Sequence, residues 1–421
     1  MRTRLALLVS TALLVPAAAA SAASGQAGDL DPSFAGDGVR LLDHGRYYGA
    51  QPVTALLPLK SGKTMVAARL ETADGTVSRL VRLRPDGSTD PGFRAEMPGP
   101  QVPRRLIRLG EGRILLAGSD PGTGFAMTSY RHDGSRDRTF GYRGVVTTGI
   151  VSGDDAIHDV RVDSQQRILA AGVAGDAFAV VRYLRDGSRD PSFGTDGIVR
   201  TVTGLGGNAD VGAMRLQPDG RLLVVGGTAH DATHAEGIEV MRFDPDGSVD
   251  ETFGGGDGIV TTTPVDYEST RADAVVRQPD GRIVVGGTAF MGDNSFFCVA
   301  RYLPDGSPDP DFGNAGLASS TIRPYYSAIN ALALQRDGRI VAAGWTDREG
   351  RPNALALARY RTDGRLDTSF SGDGTAVVGL GRTQDSRLLA VATRGGRITA
   401  GGETGTAGSP NTVGVVIRVR G

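Results

Sequence analysis

The sequence predicts an all-β fold, a seven-bladed β-propeller with four strands per blade and the N-terminal strand completing the last blade. Three observations predict it. A segment close to DGSxDPxFG recurs along the 421 residues, marked by Phe34, Phe93, Phe140, Phe193, Phe253, Phe312 and Phe370 at intervals of 47–60 residues. Between markers the same order of short apolar runs and tight turns returns. The partial unit before the first marker supplies what the partial unit after the last one lacks. A period of this size built from strands is the mark of propeller blades.

Residues 271–321 show the order plainly: RADAVVRQ (strand A), the turn PDG, RIVVGGT (strand B), a variable loop, FFCVARYL (strand C), PDGS, then the Phe marker and GNAGLASST (strand D). Each apolar run is 5–8 residues of Val, Ile, Leu and Ala bounded by Gly, Pro or Asp, the pattern of strands. In the Pro-Asp-Gly turns, Pro presets the first corner, Asp bonds the local backbone and Gly accepts a positive φ. The first marker, LDPSFAGDGVRLL at residues 30–42, has no A, B or C strand before it. The last unit ends on strand C, GVVIRVRG, with no D strand after it. Joining the two closes the ring and removes its exposed edges. Residues 24–421 are thus read as one propeller.

LDPSFAGDG, LQPDGRLLVVGG and FDPDGSVDETFGGGDGIV resemble the units of the bacterial delta-60 repeat family. The resemblance covers nearly the whole chain after residue 23. It implies a propeller of secreted or surface bacterial proteins and brings no catalytic residue, cofactor or partner with it. Blade 1 departs from the pattern, with RAEMPGPQ after Phe93 where a strand D start is expected.

Comparison among the seven units separates scaffold from site. An Asp precedes every marker: Asp31, Asp90, Asp137, Asp190, Asp250, Asp309 and Asp367. Eight residues before it, on strand C, stands Arg82, Arg182, Arg242, Arg301 or Arg359, with Arg418 in the split blade and Ser129 in blade 2. A carboxylate can orient the guanidinium fork, so an Arg–Asp bond from strand C to the strand D turn is expected in each blade. The A–B and C–D turns are uniform. The B–C and D–A loops, which share the opposite face, are individual, and function concentrates on variable loops over a rigid scaffold.

Aromatic placement points to that variable face. Tyr130, Tyr183, Tyr302 and Tyr360 recur on strand C and are structural, and Tyr142 lies in a strand D turn. Tyr47, Tyr48, Tyr267, Tyr325 and Tyr326 fall in D–A loops, and Trp345 stands where Gly227 and Gly287 stand at the end of strand B. With Arg46 and Arg323 nearby, these eight residues form the expected ligand-binding set, suited to a carbohydrate, a cell-wall polymer or a protein or peptide. The competing reading is that the rings cover blade ends. An enzymatic alternative, a hydrolase or lyase at the channel mouth, has only scattered candidates: His44, Arg46, Asp154, Asp155, Asp266 and Arg323.

Signs of other chemistry are weak. His230 and His234 form an H-x3-H pair in what reads as a solvated loop, without HExxH. Asp244, Asp246 and Asp250 resemble a calcium loop, but the repeat itself accounts for two of them as turn residues. The only cysteine, Cys298, lies in strand C with no His beside it in sequence, which favours a packed or partly exposed thiol. GGGDG at 254–258 recurs in weaker form as a turn rather than a phosphate loop. No metal or cofactor is expected.

Composition agrees. The chain has 62 Gly and 21 Pro, 39% apolar residues and a formal charge of -1, which suits a turn-rich folded protein and gives no electrostatic reason for nucleic-acid binding. Residues 1–23 carry Arg2 and Arg4, an apolar run from Leu5 to Val15 and Ala20-Ser21-Ala22, the pattern of a secretory signal peptide too short to span a bilayer. Export by a Sec-type signal without a lipid anchor, and a secreted monomer, are the expectations. The most economical function is an extracellular binding module.

Overall fold

The computed structural model describes residues 26–42, 49–72, 75–96, 99–151, 155–201, 208–231, 234–235, 237–262, 267–323, 326–347 and 351–421; for 208–210, 228–231 and 234–235 it gives the backbone alone. Residues 1–23, where an export signal is expected, lie outside these residues.

Seven antiparallel sheets follow one another around a central channel, in the order A-B-C-D from the channel outward in six of them and A-B-C in blade 1. In blade 5, strand A Ser269–Arg277, strand B Ile283–Met291, strand C Asn294–Tyr302 and strand D Leu317–Ser320 pair in turn. Strand D of blade 7 comes from the other end of the chain. Val39–Leu42 pairs antiparallel with Thr412–Arg420, Val39 opposite Ile417 and Leu42 opposite Gly414, and Leu30 bridges to Val419. The ring closes as the complementary ends predict.

Strand A of every blade carries a bulge at one position. It falls on Asp273, for example, where the register slips between Ala272 and Ala274. The bulge drives a strand A carbonyl against strand B: a Cβ on Gly287 would lie 1.7 Å from the Arg271 oxygen, so only glycine fits there.

Blade 1 differs from the four-stranded expectation. It has three strands, Val53–Pro58, Thr64–Thr72 and Gly75–Leu83, and no strand D among the described residues. Two things differ: only eight residues separate Phe93 from the next strand A at Val102, against 13–18 in the other blades, and the residue after the marker has another conformation. In the other six blades the residue after the marker Phe takes a left-handed φ (Ala35 55°, Gly141 52°, Gly194 54°, Gly254 72°, Gly313 56°, Ser371 52°), which turns the chain back along strand C. Arg94 is not in that conformation, and the chain runs on across blade 2, where Glu96 N donates to Gly134 O at 2.9 Å. Blade 4 differs in the other direction. Its strand B extends to Asp231, and His234–Ala235 pairs back onto it, so His230 and His234 stand on paired strands rather than in a loop.

Neighbouring blades are joined the same way at all seven interfaces. The amide after the marker Phe donates to a carbonyl in the next blade's C–D turn: Ala35 to Asp86 (2.8 Å), Arg94 to Asp133 (2.8 Å), Gly141 to Asp186 (2.6 Å), Gly194 to Asp246 (2.8 Å), Gly254 to Asp305 (3.1 Å) and Gly313 to Asp363 (2.9 Å). At the closing interface Ser371 donates to Ala27 at 2.8 Å. The Phe ring packs on the turn glycine of that neighbour, as Phe312 does on Gly364, where a Cβ would come within 3.1 Å of the ring.

The expected Arg–Asp bond is present. Arg82–Asp90 (2.6 Å), Arg182–Asp190 (2.8 Å), Arg242–Asp250 (2.6 Å), Arg301–Asp309 (2.9 Å) and Arg359–Asp367 (2.8 Å) are ion pairs. Each guanidinium also lies over its own marker ring, 4.5–5.0 Å from the centroid. Several reach the next blade: Arg82 donates to the His132 carbonyl at 2.6 Å and Arg242 to that of Pro304 at 2.5 Å. Blade 7 departs from the expectation, for Arg418 lies over Phe34 at 4.3 Å while Arg397 holds Asp31 at 3.0 Å.

The same Asp holds a second cation that the spacing rule missed, at the start of strand B: Lys63 (2.7 Å), Arg113 (2.9 Å), Arg167 (3.6 Å), Arg221 (3.0 Å), Arg282 (2.7 Å) and Arg339 (2.7 Å), in the place of Arg397. Its other oxygen caps the following turn, as Asp190 Oδ1 accepts from Ser192 N and Oγ.

Two outcomes follow from this arrangement. Arg301→Ala should lower stability by about 3 kcal/mol, the low end for breaking a buried pair, because Arg282 still neutralises Asp309; an unchanged denaturation midpoint would remove the pair from the scaffold. The pKa values of all seven aspartates are also lowered. At Asp90 the Lys63 hydrogen bond leads. At the other six, burial alone would raise the pKa, and hydroxyl, amide and cation partners outweigh it. A folded pKa below the unfolded one adds stability that is complete above pH ~4 and lost as the pH falls further. The melting temperature should therefore hold from pH 7 to 5 and drop steeply below pH ~4.

Candidate functional site

Two places differ from blade to blade in the way a site should, one on the predicted face and one in the channel. On the loop face a cleft of about 360 Å³ runs between blades 6, 7 and 1, with Trp345, Asn353, Asp385, Arg387, Glu403 and Thr412 in its lining. Glu403 is buried on strand B of blade 7, and its carboxylate takes two partners: Arg387 Nε at 2.5 Å and Thr412 Oγ1 at 2.7 Å. Thr412 Oγ1 in turn accepts from Gln51 N at 3.0 Å, which ties blade 1 to the same cluster. The Arg387 side chain is 58% exposed, so a fixed guanidinium is presented to solvent beside a partly buried indole. An apolar ring face next to a few fixed polar groups is the make-up of small-ligand sites.

Trp345 matches Gly227 as predicted, but in blade 5 it matches Thr288 and not Gly287. Opposite the strand A bulge, Gly344 matches Gly287, so Trp345 is in register with Thr288 and Gly227. The Trp345 backbone pairs in the ladder with Ala328, and Tyr326, 45% exposed, lies two residues further out. Tyr326 and Trp345 therefore share one end of blade 6. Tyr326 is held by its carbonyl, which accepts from Asp347 N at 2.8 Å. Tyr267 is a covering ring: partly buried against the core of blades 4 and 5, it lies 6.0 Å from Phe296 at a 58° tilt. Arg323 is exposed in the connection between blades 5 and 6. Tyr47, Tyr48, Tyr325 and Arg46 lie outside the described residues, as do His44, Asp154 and Asp266. Asp155 is buried, and its Oδ2 takes the amides of Ile150 and Val151.

The channel holds what sequence reasoning missed. At one register of strand A five blades place alanine: Ala55, Ala213, Ala274, Ala331 and Ala390. Blades 2 and 3 place Arg105 and Asp159. Asp159 is fully buried and takes both Nε (2.6 Å) and Nη2 (3.2 Å) of Arg105, Nη1 of Arg161 (2.6 Å) and the Met214 amide of blade 4 (2.9 Å). Burial alone would raise its pKa, but the two guanidiniums outweigh it and the carboxyl sits below its usual range. Two residues further along, Arg161 and Arg215 occupy positions that are Leu57, Ile107, Val276 and Ala333 elsewhere. Arg105, Arg161, Arg215 and Asn330 line an opening of about 450 Å³ whose other walls are apolar. Burial lowers Arg161 to about 10, and the Nε atoms of Arg161 and Arg215 have no hydrogen-bond partner. Three guanidiniums thus stand near one carboxylate, which leaves an excess of positive charge in the channel.

The remaining candidates resolve into structure. Asp246 Oδ1 accepts from Ser248 N and Oγ, Asp244 Oδ1 takes Arg221 Nε at 3.0 Å, and Asp250 is held by Arg221 and Arg242, so these oxygens are engaged by turn and ion-pair partners. Cys298 is fully buried, and burial pushes its thiol up to about 12, which keeps it protonated and inert. The side chains of His230 and His234 lie outside the described residues. Of the four structural tyrosines, Tyr183 and Tyr302 donate to Thr148 and Thr262 on strand D of the preceding blade, at 2.8 and 2.7 Å.

The class of protein is thereby defined: a seven-bladed β-propeller with no catalytic constellation among its described residues. The family model described as "Domain of unknown function (DUF5122) beta-propeller" matches residues 60–93, 167–193, 217–253, 278–312 and 335–370, the strand B to marker segments of blades 1, 3, 4, 5 and 6. No curated protein matches the sequence. Among solved structures, an ulvan lyase of polysaccharide lyase family PL25 is similar at 10% identity and a TM-score of 0.54, over 91% of this chain and 96% of its own. The polysaccharide lyase Uly1 is similar at 12% identity and a TM-score of 0.51, over 94% and 97%. A Dyadobacter fermentans protein of unknown function aligns at 15% identity and a TM-score of 0.45, over 91% and 100%. These identities speak for the fold alone.

Proposed function

We propose that this propeller is a secreted, monomeric binding module that takes a carbohydrate, a cell-wall polymer or a peptide on its B–C and D–A loop face. The observation that carries the reading is the cleft in which Trp345 lies beside Arg387, itself fixed by a buried Glu403. A ring face and a planar, oriented donor suit a sugar or peptide unit, and their fixed placement limits the entropy lost on binding. Trp345→Ala and Arg387→Ala should fold normally and each cut retention on a glycan or cell-wall array at least tenfold, with Tyr326→Ala weaker. Retention unchanged in both would count against the cleft.

The channel arginines favour a second reading, in which an acidic group of the ligand enters the channel, with the hydrolase or lyase alternative as its extension. Sulfate, used as the probe, should raise the melting temperature of the protein but not that of Arg215→Ala, which leaves the Arg105–Asp159 pair in place. The effect should weaken as the pH rises past about 10, where Arg161 loses its charge. Equal shifts in both proteins would set the channel aside.

A further inference from the structure

In blade 2 the strand C arginine is replaced by Ser129, and the structure shows what that substitution leaves behind. The backbone there is the same as in a filled blade. Ser129 N donates to Gly144 O at 3.0 Å and Asp137 N to Ser129 O at 2.9 Å, matching Arg182 to Gly197 and Asp190 to Arg182, both 2.9 Å. The strand B cation is also in place, as Arg113 on Asp137. Only the second guanidinium is missing.

Its acceptors remain. In blade 3 Arg182 donates to Asp190, to Ser192 Oγ and to the Pro245 carbonyl of the next blade's turn. The counterparts in blade 2 are Asp137, Thr139 and Arg185, and all three line one cavity of about 680 Å³. Among the described residues Phe140 is the one marker ring with no guanidinium over it. One residue of the cavity lining carries an unpartnered buried polar atom, Nη2 of Arg113, a residue 9% exposed. It needs an acceptor, which a peptide carbonyl next to an arginine side chain supplies.

We propose that this vacated position in blade 2 is a binding site for an arginine residue of a peptide or protein brought from outside, its guanidinium taking the place that Arg182, Arg242, Arg301 and Arg359 fill from within. The site lies on the turn face, opposite the Trp345 cleft. Specificity for arginine over lysine follows from the fork of acceptors, because an ammonium cannot reach Asp137, Thr139 and the Arg185 carbonyl in one plane.

The test compares the unmodified protein with Ser129→Arg, which refills the position, and Arg182→Ser, which empties its equivalent in blade 3. The probes are N-acetyl-arginine methylamide, methylguanidinium and N-acetyl-lysine methylamide, titrated at constant chloride and followed by calorimetry and melting temperature. The unmodified protein should bind one equivalent of the arginine amide, at least tenfold tighter than the lysine amide. Ser129→Arg should melt higher and lose that binding, and Arg182→Ser should take up a second equivalent. Methylguanidinium binding as tightly as the arginine amide would assign the site to free guanidinium compounds and overturn the peptide assignment. Arginine binding that persists in Ser129→Arg, equal binding of the arginine and lysine amides, or no uptake by the unmodified protein would overturn the site itself.

Discussion

One carboxylate per blade, the Asp that precedes the marker phenylalanine, holds the ring together. One oxygen caps the turn that follows. The other takes a cation from strand B and, in most blades, a guanidinium from strand C that also covers the phenylalanine and reaches the next blade's turn. Taking charges out of water is costly, and such clusters persist only when their hydrogen bonds are nearly all satisfied. Here one or two cations, the amide two residues on and, in five blades, a hydroxyl share the work around each carboxylate. The group therefore sets both the bend of the blade's outer edge and its distance from the neighbour.

That dependence explains why departures from the repeat are local. Blade 1 keeps the Asp, the Arg and the Phe, lacks the left-handed residue after the ring and has a shorter connection to the next blade, and so keeps its interface while losing its outer strand. Blade 2 keeps the turn geometry without the strand C arginine because Arg113 alone neutralises Asp137. Blade 7 divides the two roles, charge pairing by Arg397 and ring covering by Arg418. The family model leaves out blades 2 and 7.

Much of this architecture was legible in the sequence because it is written in fixed spacings. Seven markers, complementary chain ends and an Arg eight residues before an Asp are local facts that repetition amplifies. The second cation escaped because it joins strand B to strand D across a variable loop, as Lys63 does to Asp90, and no constant spacing records it. The channel cluster escaped for a different reason. Arg105 and Asp159 meet because two blades carry them at the same register, and the strand A bulge blurs that register in the linear sequence. Aligning the seven A strands would have shown both residues standing in a column of alanines. Trp345 was aligned correctly with Gly227 but one residue off in blade 5, where it matches Thr288 rather than Gly287. The tyrosine set divides: Tyr267 packs, Tyr326 is exposed, and Tyr47, Tyr48 and Tyr325 lie outside the described residues.

The split blade has a consequence for the order of events during synthesis. Val39–Leu42 is the first strand of the ring to leave the ribosome, and its partner Thr412–Arg420 is the last. Throughout translation this short segment has no ladder to join, and six sheets can assemble in sequence while it waits. Its pairing spans nearly the entire chain, the contact with the greatest loop-closure cost in the molecule. A nascent chain of this kind stays an open arc with two unprotected edges until its final strand appears, and any factor that shelters the growing arc would need to hold it only until then.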